Sequence, residues 1–328
     1  MSNPNEPLPN ELFSSWLHRQ GAIPRIGKLS LREVTDVYHR CMQQGDFDPD
    51  FDRESEFART CLELMGMSQP DFKGFDTTSS WLIPRYYRGA FCYECFCEHI
   101  RQFRLPTMLT DWCSVFRTVC PRHLVPILDT PGKYNYKLNM ALKLFGHYHS
   151  NSNIVSKESS RMEDGALSAL LKVQSLMSEF EMQCQKGEDD RQWRLIQLII
   201  RVLLYPRHGV VTSLFPKQPV STDSQLFRYN LNLGPLISQV IRRRVALLLT
   251  GLLLNYVDQA DRAAAERYLE SYDHRHHYFD NMYGLGRSAN IFTPERGRQL
   301  LSQLLELAQD TESPYLRDFI DGFSSERG

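Results

Sequence analysis

Two short pairs of metal-binding residue types constrain this chain more than any other feature. In FCYECFCEH, Cys92 and Cys95 lie three positions apart, and in VCPRHL, Cys120 and His123 have the same spacing. Each pair can present two ligand atoms to one ion from a single turn of chain, and zinc prefers thiolate and imidazole ligands. The two pairs together predict one tetrahedral Cys3His zinc site.

A zinc site of this composition is expected to be structural. Four protein ligands fill the tetrahedron and leave no position for water or substrate. The ion would then contribute folding free energy to a segment too short to bury a core of its own. We therefore expect one structural zinc ion per chain. We expect no enzymatic activity, since no nucleophile–base pair, phosphate-binding loop or acidic metal triad stands out in the sequence.

Three neighbouring residues remain as alternative ligands. Cys97 follows Cys95 by only two positions and would form a cramped chelate, so we expect it to pack or to face solvent. His99 could replace the later histidine, but nothing pairs with it at the required spacing. Cys113 is expected to be a buried thiol. A redox role for the first two cysteines is disfavoured, because that motif belongs to a strand–helix unit that this sequence lacks.

Apolar residues recur at helical spacing along most of the chain. Three such stripes occupy NELFSSWLHRQG, SLREVTDVYHRCMQQG and ESEFARTCLELMG, and five more follow in the second half. Ser30 and Glu33 form a predicted capping box, while Gly21, Gly45 and Gly66 are the predicted helix ends. The pattern predicts a mainly α fold with an N-terminal trihelical, helix-turn-helix-like unit, a small zinc-knuckle module and a C-terminal helical domain.

These patterns divide the chain into four segments. Residues 1–80 are predicted to form the trihelical unit, with Trp16 in its core. Residues 81–130 are predicted to form the zinc-binding module, and residues 131–165 a connecting segment. Residues 166–328 are predicted to form the C-terminal helical domain.

Charge is distributed unevenly along the chain, although the formal net charge is −1. Residues 1–80 contain eight basic and thirteen acidic side chains, whereas residues 81–150 contain nine basic and four acidic ones. A total near zero is poorly suited to a protein that must hold duplex DNA alone, because phosphate contacts dominate that affinity.

Two charged surfaces are candidate docking sites. One is basic and lies near the zinc module, with Arg85, Arg88, Arg101 and Arg104 as its predicted contacts to a partner or to nucleic acid. The other is the acidic loop Asp46–Asp52. Its alternating aspartates resemble the start of a calcium loop, but the required glycine and glutamate are missing, so a solvated acidic turn is expected.

The sequence predicts no membrane-spanning segment. The longest apolar run, VALLLTGLLLNYV, is too short to cross a bilayer and directly follows the triplet Arg242–Arg244, so a buried helix is expected there. Part of that triplet is expected to be solvated or to form salt bridges between helices. The N-terminus, MSNPNEPLPNELF, has no apolar signal core, which favours a cytoplasmic protein.

Three motifs within residues 7–128 carry a family resemblance. LPNELFSSWLHRQGA is similar to an opening signature P-x-E-x-L-x-SWL-x-R, LELMGM is similar to LA-x-x-LG, and FCYECFCEH is followed by DWCSVFRTVCPRHLVPIL, in which CPxH ends the zinc module. In this order they resemble the TniQ family of transposon-associated proteins. The chain departs from the family's C-P-x-C by having Tyr93 and Glu94 between the thiols, and no second cysteine module follows.

The resemblance implies a non-catalytic role in choosing where a transposon inserts. Family members recognise either target DNA or a CRISPR RNA-guided complex, and help to recruit an AAA+ ATPase regulator. On this basis we expect a bacterial, cytoplasmic targeting adaptor. Its implied partners are a Cascade-type effector with guide RNA and target DNA, the ATPase regulator and a second copy of the chain. The alternative is an autonomous, sequence-specific DNA-binding selector of attachment sites.

Overall fold

The structure, a computed structural model, describes most of the chain. It covers residues 6–22, 30–67, 75, 79–129, 138–151, 153, 155, 160, 162–206, 208–215, 230–272 and 281–325. Within these ranges the fold is mainly α, as predicted, with fourteen α-helices and one two-stranded antiparallel sheet. The chain divides into two compact units. The finer division into four segments stays a prediction.

The first unit comprises Met1–Ser114 and Ile127–Ser156. Within its described residues, α1 and α3 each pack against α2, which gives the trihelical arrangement that the sequence predicts. The helices of this unit are α1 (Phe13–Ala22), α2 (Leu31–Gln44), α3 (Glu56–Met65), α4 (Tyr93–Phe103) and α5 (Met140–Ser150).

Local sequence signals set most of the ends of the first three helices. The Ser30 hydroxyl accepts a hydrogen bond from Glu33 N at 3.2 Å, and the Glu33 carboxylate accepts one from Ser30 N at 2.7 Å. The predicted capping box is therefore present. Gly45 ends α2, and Gly66 ends α3 in the left-handed conformation with φ 65°. Gly21 lies inside α1 instead of ending it.

Trp16 lies in the core of the trihelical arrangement, as predicted, with 1% of its surface exposed. Its ring centroid is 5.9 Å from that of Phe13 and 5.2 Å from that of Phe75. Phe57 of α3 meets the Phe13 ring edge-on at 6.2 Å. These buried rings bring a large apolar surface into the small three-helix core.

The second unit comprises Val115–Pro126 and Lys157–Gly328. Its sheet pairs β1 (Val119–Cys120) with β2 (Val125–Pro126). Its helices are α6 (Asp164–Gln185), α7 (Arg191–Leu203), α8 (Val210–Leu214), α9 (Leu233–Ile237), α10 (Val240–Leu253), α11 (Gln259–Glu270), α12 (Met282–Ala289), α13 (Pro294–Leu307) and α14 (Pro314–Ser324).

Helix α10 is the buried centre of the second unit and packs against α6, α7 and α11. The predicted buried helix over the longest apolar run is therefore confirmed. The triplet Arg242–Arg244 within it is buried, so of its two expected roles the solvated one is wrong, and a salt bridge between helices stays a prediction. No helix in the described ranges combines the length and apolarity that a membrane crossing requires.

Helices α12 and α14 approach each other through two glycines. A Cβ atom built on Gly286 would lie 1.9 Å from Phe319 O, and one built on Gly322 would lie 1.9 Å from Tyr283 O. Real Cβ atoms do not approach a carbonyl oxygen so closely. The two backbones can therefore touch only because both positions lack a side chain.

Candidate metal centre

The first pair of predicted ligands lies at the start of α4. Cys92 is the N-cap residue of this helix, with φ −99° and ψ 122°, and Cys95 lies in its first turn. Both side chains are buried. Helix N-termini carry a partial positive charge that favours the thiolate form, which is the form that binds metal. The single turn of chain that was expected to carry Cys92 and Cys95 is therefore the first turn of a helix.

The second pair lies on the β1–β2 hairpin. Cys120 ends β1 opposite Val125, and Leu124 N donates a hydrogen bond to Cys120 O at 2.9 Å across the turn. Leu124 has φ 51°, in the left-handed region. The Cys120 Sγ atom lies 3.6 Å from His123 Nδ1. The tight turn thus presents both ligand atoms on the same side.

The four predicted ligands come together as one group. One ligand atom from each of Cys92, Cys95, Cys120 and His123 lies within 4.8 Å of all the others, and the three cysteines are buried. Tetrahedral zinc, with bonds of about 2.3 Å to sulfur and 2.0–2.1 Å to nitrogen, places neighbouring ligand atoms about 3.5–3.8 Å apart. The 3.6 Å separation within the hairpin matches this value. The group could therefore hold one metal ion after a small contraction.

Aromatic side chains next to the first pair of ligands in sequence form a packed cluster. Phe91 and Phe96 are fully buried and stacked, with ring centroids 4.9 Å apart. Trp112 meets Phe96 edge-on at 5.5 Å, and Tyr148 of α5 meets Phe91 edge-on at 5.0 Å. The segment thus packs into an apolar cluster that it shares with α5, in addition to any metal.

The three alternative ligands lie outside the group. Burial raises the pKa of the Cys97 thiol and outweighs the lowering effect of its hydrogen bond with the Tyr93 hydroxyl. His99 is buried, and its Nδ1 lies 2.9 Å from the Thr107 hydroxyl. Cys113 is a buried thiol, as expected.

Arg85 and Arg88 do not belong to an exposed basic surface, and this part of the prediction is wrong. Their exposed fractions are 5% and 4%. Arg85 forms an ion pair with Asp46, and Arg88 Nη1 donates to Asp48 Oδ1 at 2.8 Å. The two surfaces expected to bind separate partners are therefore in contact with each other. Their charges compensate one another because the loop between α2 and α3 folds over both arginines.

In the acidic loop the predicted solvation holds at the exposed Asp46 and Asp52 and fails at Asp50. Asp50 is buried, accepts a hydrogen bond from Ser14 N at 2.9 Å and lies 3.6 Å from the Arg88 guanidinium. The Arg88 guanidinium also lies 4.5 Å from the centre of the Phe51 ring. Burial alone would raise the pKa of Asp48, but its hydrogen bonds and ion pair with Arg88 outweigh this and lower the pKa below its usual value.

The other two predicted arginines remain on the surface. Arg101 is exposed on α4, where its Nε donates to Cys97 O at 3.2 Å. Arg104 is exposed and directly follows α4 with φ 66°. Their contact with a partner or with nucleic acid stays a prediction.

The polar residues of the N-terminal motif LPNELFSSWLHRQGA make contacts inside the protein. The Arg19 guanidinium donates to Glu11 from Nη2 at 2.7 Å and from Nε at 3.1 Å, and neither side chain is more than 1% exposed. The Ser15 hydroxyl accepts a hydrogen bond from Met108 N at 2.9 Å. The polar residues of the motif therefore fix α1 to its surroundings within the first unit.

One buried polar residue beside the hairpin was not predicted. Gln174 of α6 is 1% exposed, and its side-chain amide bonds the backbone of Val119. Its position within the apolar stripe of Leu170, Val173 and Met177 is a usable signal, because a buried amide needs hydrogen-bonding partners.

Comparison of the chain with protein-family models, with curated proteins and with solved structures found no significant match. The function is therefore inferred from the residues, their geometry and the motif resemblance.

Proposed function

We propose that this protein is a non-catalytic adaptor in transposition targeting. In this role it docks on a target-recognition complex, such as a Cascade-type CRISPR effector with its guide RNA and target DNA, and engages an AAA+ ATPase regulator. It acts as a homodimer in the bacterial cytoplasm. The proposal rests on the TniQ-like motifs of the first 128 residues together with a Cys3His donor set that leaves no position for substrate.

The metal in this proposal is one structural zinc ion per chain. Three thiolates and one imidazole suit zinc, and four protein donors complete its tetrahedron. Cys92 and Cys95 hold the ion from the start of α4, while Cys120 and His123 hold it from the hairpin. Such a site supplies rigidity to a docking surface and no reaction chemistry.

The exposed face of α3 supports protein docking over direct DNA reading. In helix-turn-helix proteins the corresponding helix enters the major groove between two rows of phosphates. Here α3 exposes Glu56, Glu63, Leu64 and a single cation, Arg59. The two carboxylates repel phosphate and the apolar side chain offers it no favourable contact. Both kinds of side chain are ordinary components of a protein interface.

Arg101 and Arg104 are the proposed docking cations near the metal centre. Both are exposed and lie at the C-terminal end of α4. Cations at the rim of an interface accelerate and orient docking on an acidic or phosphate-bearing partner more than they increase its affinity.

The test is purification of the tagged protein from cells that express its native operon, with identification of the bound proteins and RNA. We expect an RNA-guided complex and an ATPase regulator to copurify. The variant Arg101→Glu with Arg104→Glu is expected to lose target-directed insertion while it retains its fold and zinc content. The matched control, Arg32→Glu with Arg40→Glu, reverses two exposed charges on α2 and is expected to retain insertion.

Two results would overturn the adaptor proposal. The first is copurification with neither RNA nor an ATPase regulator. The second is nanomolar binding of a defined duplex by the purified protein alone at physiological salt, with an affinity that falls steeply as salt increases. That second result would establish the autonomous attachment-site selector.

A further inference from the structure

The side chain of Gln174 pairs with β1 as the edge of a neighbouring strand would. Gln174 Oε1 accepts hydrogen bonds from Thr118 N at 2.9 Å and Val119 N at 3.2 Å. Gln174 Nε2 donates to Val119 O at 3.1 Å. Both backbone groups of Val119 therefore point away from β2, where the opposite residue, Pro126, has no N–H group to offer.

These hydrogen bonds act on the peptide group that leads into a metal ligand. The Val119 carbonyl belongs to the peptide unit shared with Cys120, so fixing its orientation fixes the backbone direction at Cys120. The thiol of Cys120 lies 3.6 Å from His123 Nδ1, a separation that small backbone rotations would change. Gln174 thus influences ligand geometry without contacting the ligand atoms.

Two arginines of α10 hold the preceding residues. Arg243 Nη1 donates to Val115 O at 3.0 Å, and the Arg244 guanidinium lies 3.4 Å from Thr118 O. Both arginines are buried. The chain that enters the hairpin is therefore held by α6 and α10 at Val115, Thr118 and Val119, and the Gln174 amide is the nearest of these contacts to the ligands.

We propose that Gln174 is a positioning residue for the metal centre. It holds β1 so that, in the metal-free protein, Cys120 and His123 already have the relative positions that tetrahedral coordination requires. Outer residues that orient metal ligands typically change metal affinity about 10- to 100-fold when they are replaced. The proposal depends on metal binding by the group and does not depend on the proposed role in transposition.

The test compares the zinc affinity of full-length variants by competition with a chromophoric chelator. Gln174→Leu keeps similar volume and removes all three hydrogen bonds, so we expect its affinity to fall about 10- to 100-fold. Gln174→Glu keeps the acceptor for both N–H groups and loses the donor, so we expect an intermediate value. In the cobalt-substituted protein, Gln174→Leu is expected to alter the visible absorption bands that report tetrahedral thiolate ligation.

The matched control is Val173→Ala, at the adjacent position of α6. Val173 is fully buried, and its methyl groups pack against Gly251 of α10. This variant is expected to lower the Tm and to change zinc affinity less than about threefold. That change is smaller than the loss expected when a residue that orients metal ligands is replaced. Far-UV circular dichroism at saturating zinc verifies folding, and Gln174→Glu is the test variant if Gln174→Leu does not fold.

Three outcomes would overturn the proposal. One is an unchanged zinc affinity and cobalt spectrum in Gln174→Leu. Another is an equal loss of affinity in Val173→Ala, which would show that general destabilisation of α6 is sufficient. The third is a wild-type protein that binds no zinc, which would leave Gln174 a structural residue of the second unit.

Discussion

Leu124 adopts a backbone conformation that suits glycine or asparagine better than leucine. Its φ of 51° lies in the left-handed region, which costs an L-residue with a full side chain about 1–2 kcal/mol. The side chain is 55% exposed at the tip of the hairpin, so little burial compensates for this cost. The turn nevertheless requires the conformation, because it returns the chain so that Val125 pairs with Cys120.

Replacing this leucine is expected to stabilise the protein. Leu124→Asn keeps the turn and relieves the strain, because asparagine populates the left-handed region more readily. We expect the free energy of unfolding to rise by up to about 1 kcal/mol in denaturant titrations with saturating zinc. The control is Leu142→Asn, at an exposed leucine inside α5, which is expected to destabilise by about 0.5 kcal/mol through helix propensity. A loss of stability at both positions would contradict the strain at Leu124.

At the scale of elements, the loop between α2 and α3 is fixed by charge. Asp46, Asp48 and Asp50 meet the buried Arg85 and Arg88, so the connection contributes to the first unit instead of extending into solvent. A buried ion pair contributes little net stability compared with apolar packing, but loss of one partner is costly. The loop conformation is thus sensitive to anything that neutralises its aspartates.

Acid is expected to weaken this loop through Asp48. The lowered pKa of Asp48 means that its contribution is present above the unfolded-state pKa of about 3.9 and is lost as the pH falls through the folded-state pKa. The difference in unfolding free energy between wild type and Asp48→Asn is therefore expected to narrow between about pH 5 and pH 2.5. Metal release in acid affects both proteins and cancels in this difference.

The exposed Asp52 of the same loop provides the control for this titration. Asp52→Asn is expected to differ little from wild type at any pH. The prediction is contradicted if the difference in unfolding free energy between wild type and Asp48→Asn stays constant to the lowest pH. The contact between Arg88 and Asp48 would then not depend on the charge of Asp48.

The close contact between α12 and α14 is expected to tolerate no side chain larger than that of glycine at position 286. Gly286→Ala forces a methyl group against Phe319 O, and the resulting overpacking is expected to cost at least about 2 kcal/mol of unfolding free energy. Gly146→Ala is the control, because nothing lies within 4 Å of that position in α5. We expect it to stabilise by up to about 1 kcal/mol through helix propensity. Equal effects of the two alanines in thermal unfolding would mean that α12 and α14 do not touch.

The sequence predicted those features that depend on neighbouring residues. The capping box of Ser30 and Glu33 and the end of α3 at Gly66 each involve one helix terminus, so a few residues determine them. The metal-ligand set was predictable as well, because the chemistry of zinc restricts both residue types and spacing. Two separate pairs with the same spacing leave few other combinations.

Contacts between distant segments were not predictable in the same way. Arg88 and Asp48 are 40 positions apart, and Gln174 is 55 positions from Val119. A single sequence shows that Arg88 is charged and that Gln174 interrupts an apolar stripe, but neither observation identifies the partner. Treating the basic and acidic segments as separate surfaces led to the wrong exposure for Arg85 and Arg88.

At the scale of the whole molecule, stability is expected to depend on metal. A ligand that binds only the folded state raises the unfolding free energy in proportion to the logarithm of its concentration above the Kd. The ligand group draws on a helix N-terminus and a hairpin, both of which require a folded chain to bring the atoms within 4.8 Å. The unfolded chain offers no such preformed arrangement.

The Tm of the full chain is expected to rise with free zinc and to fall on chelation. Metal analysis is expected to give one zinc per chain for wild type and for Cys97→Ala, since Cys97 lies outside the ligand group. The double variant Cys92→Ala with Cys120→Ala is expected to bind no zinc and to have a Tm that does not respond to zinc or chelator. Full zinc retention in that double variant would falsify the assignment of these ligands.

The buried pair of Glu11 and Arg19 bears on how this protein could be re-engineered. Because these two residues of the N-terminal motif form a buried ion pair with each other, a saturation mutagenesis screen will find that they tolerate few substitutions, whatever property the assay selects. Substitutions at these two positions will therefore report whether a variant folds, whatever its function. Libraries intended to vary the surface without disturbing the core are better placed at exposed positions of α3, such as Arg59, Glu63 and Leu64.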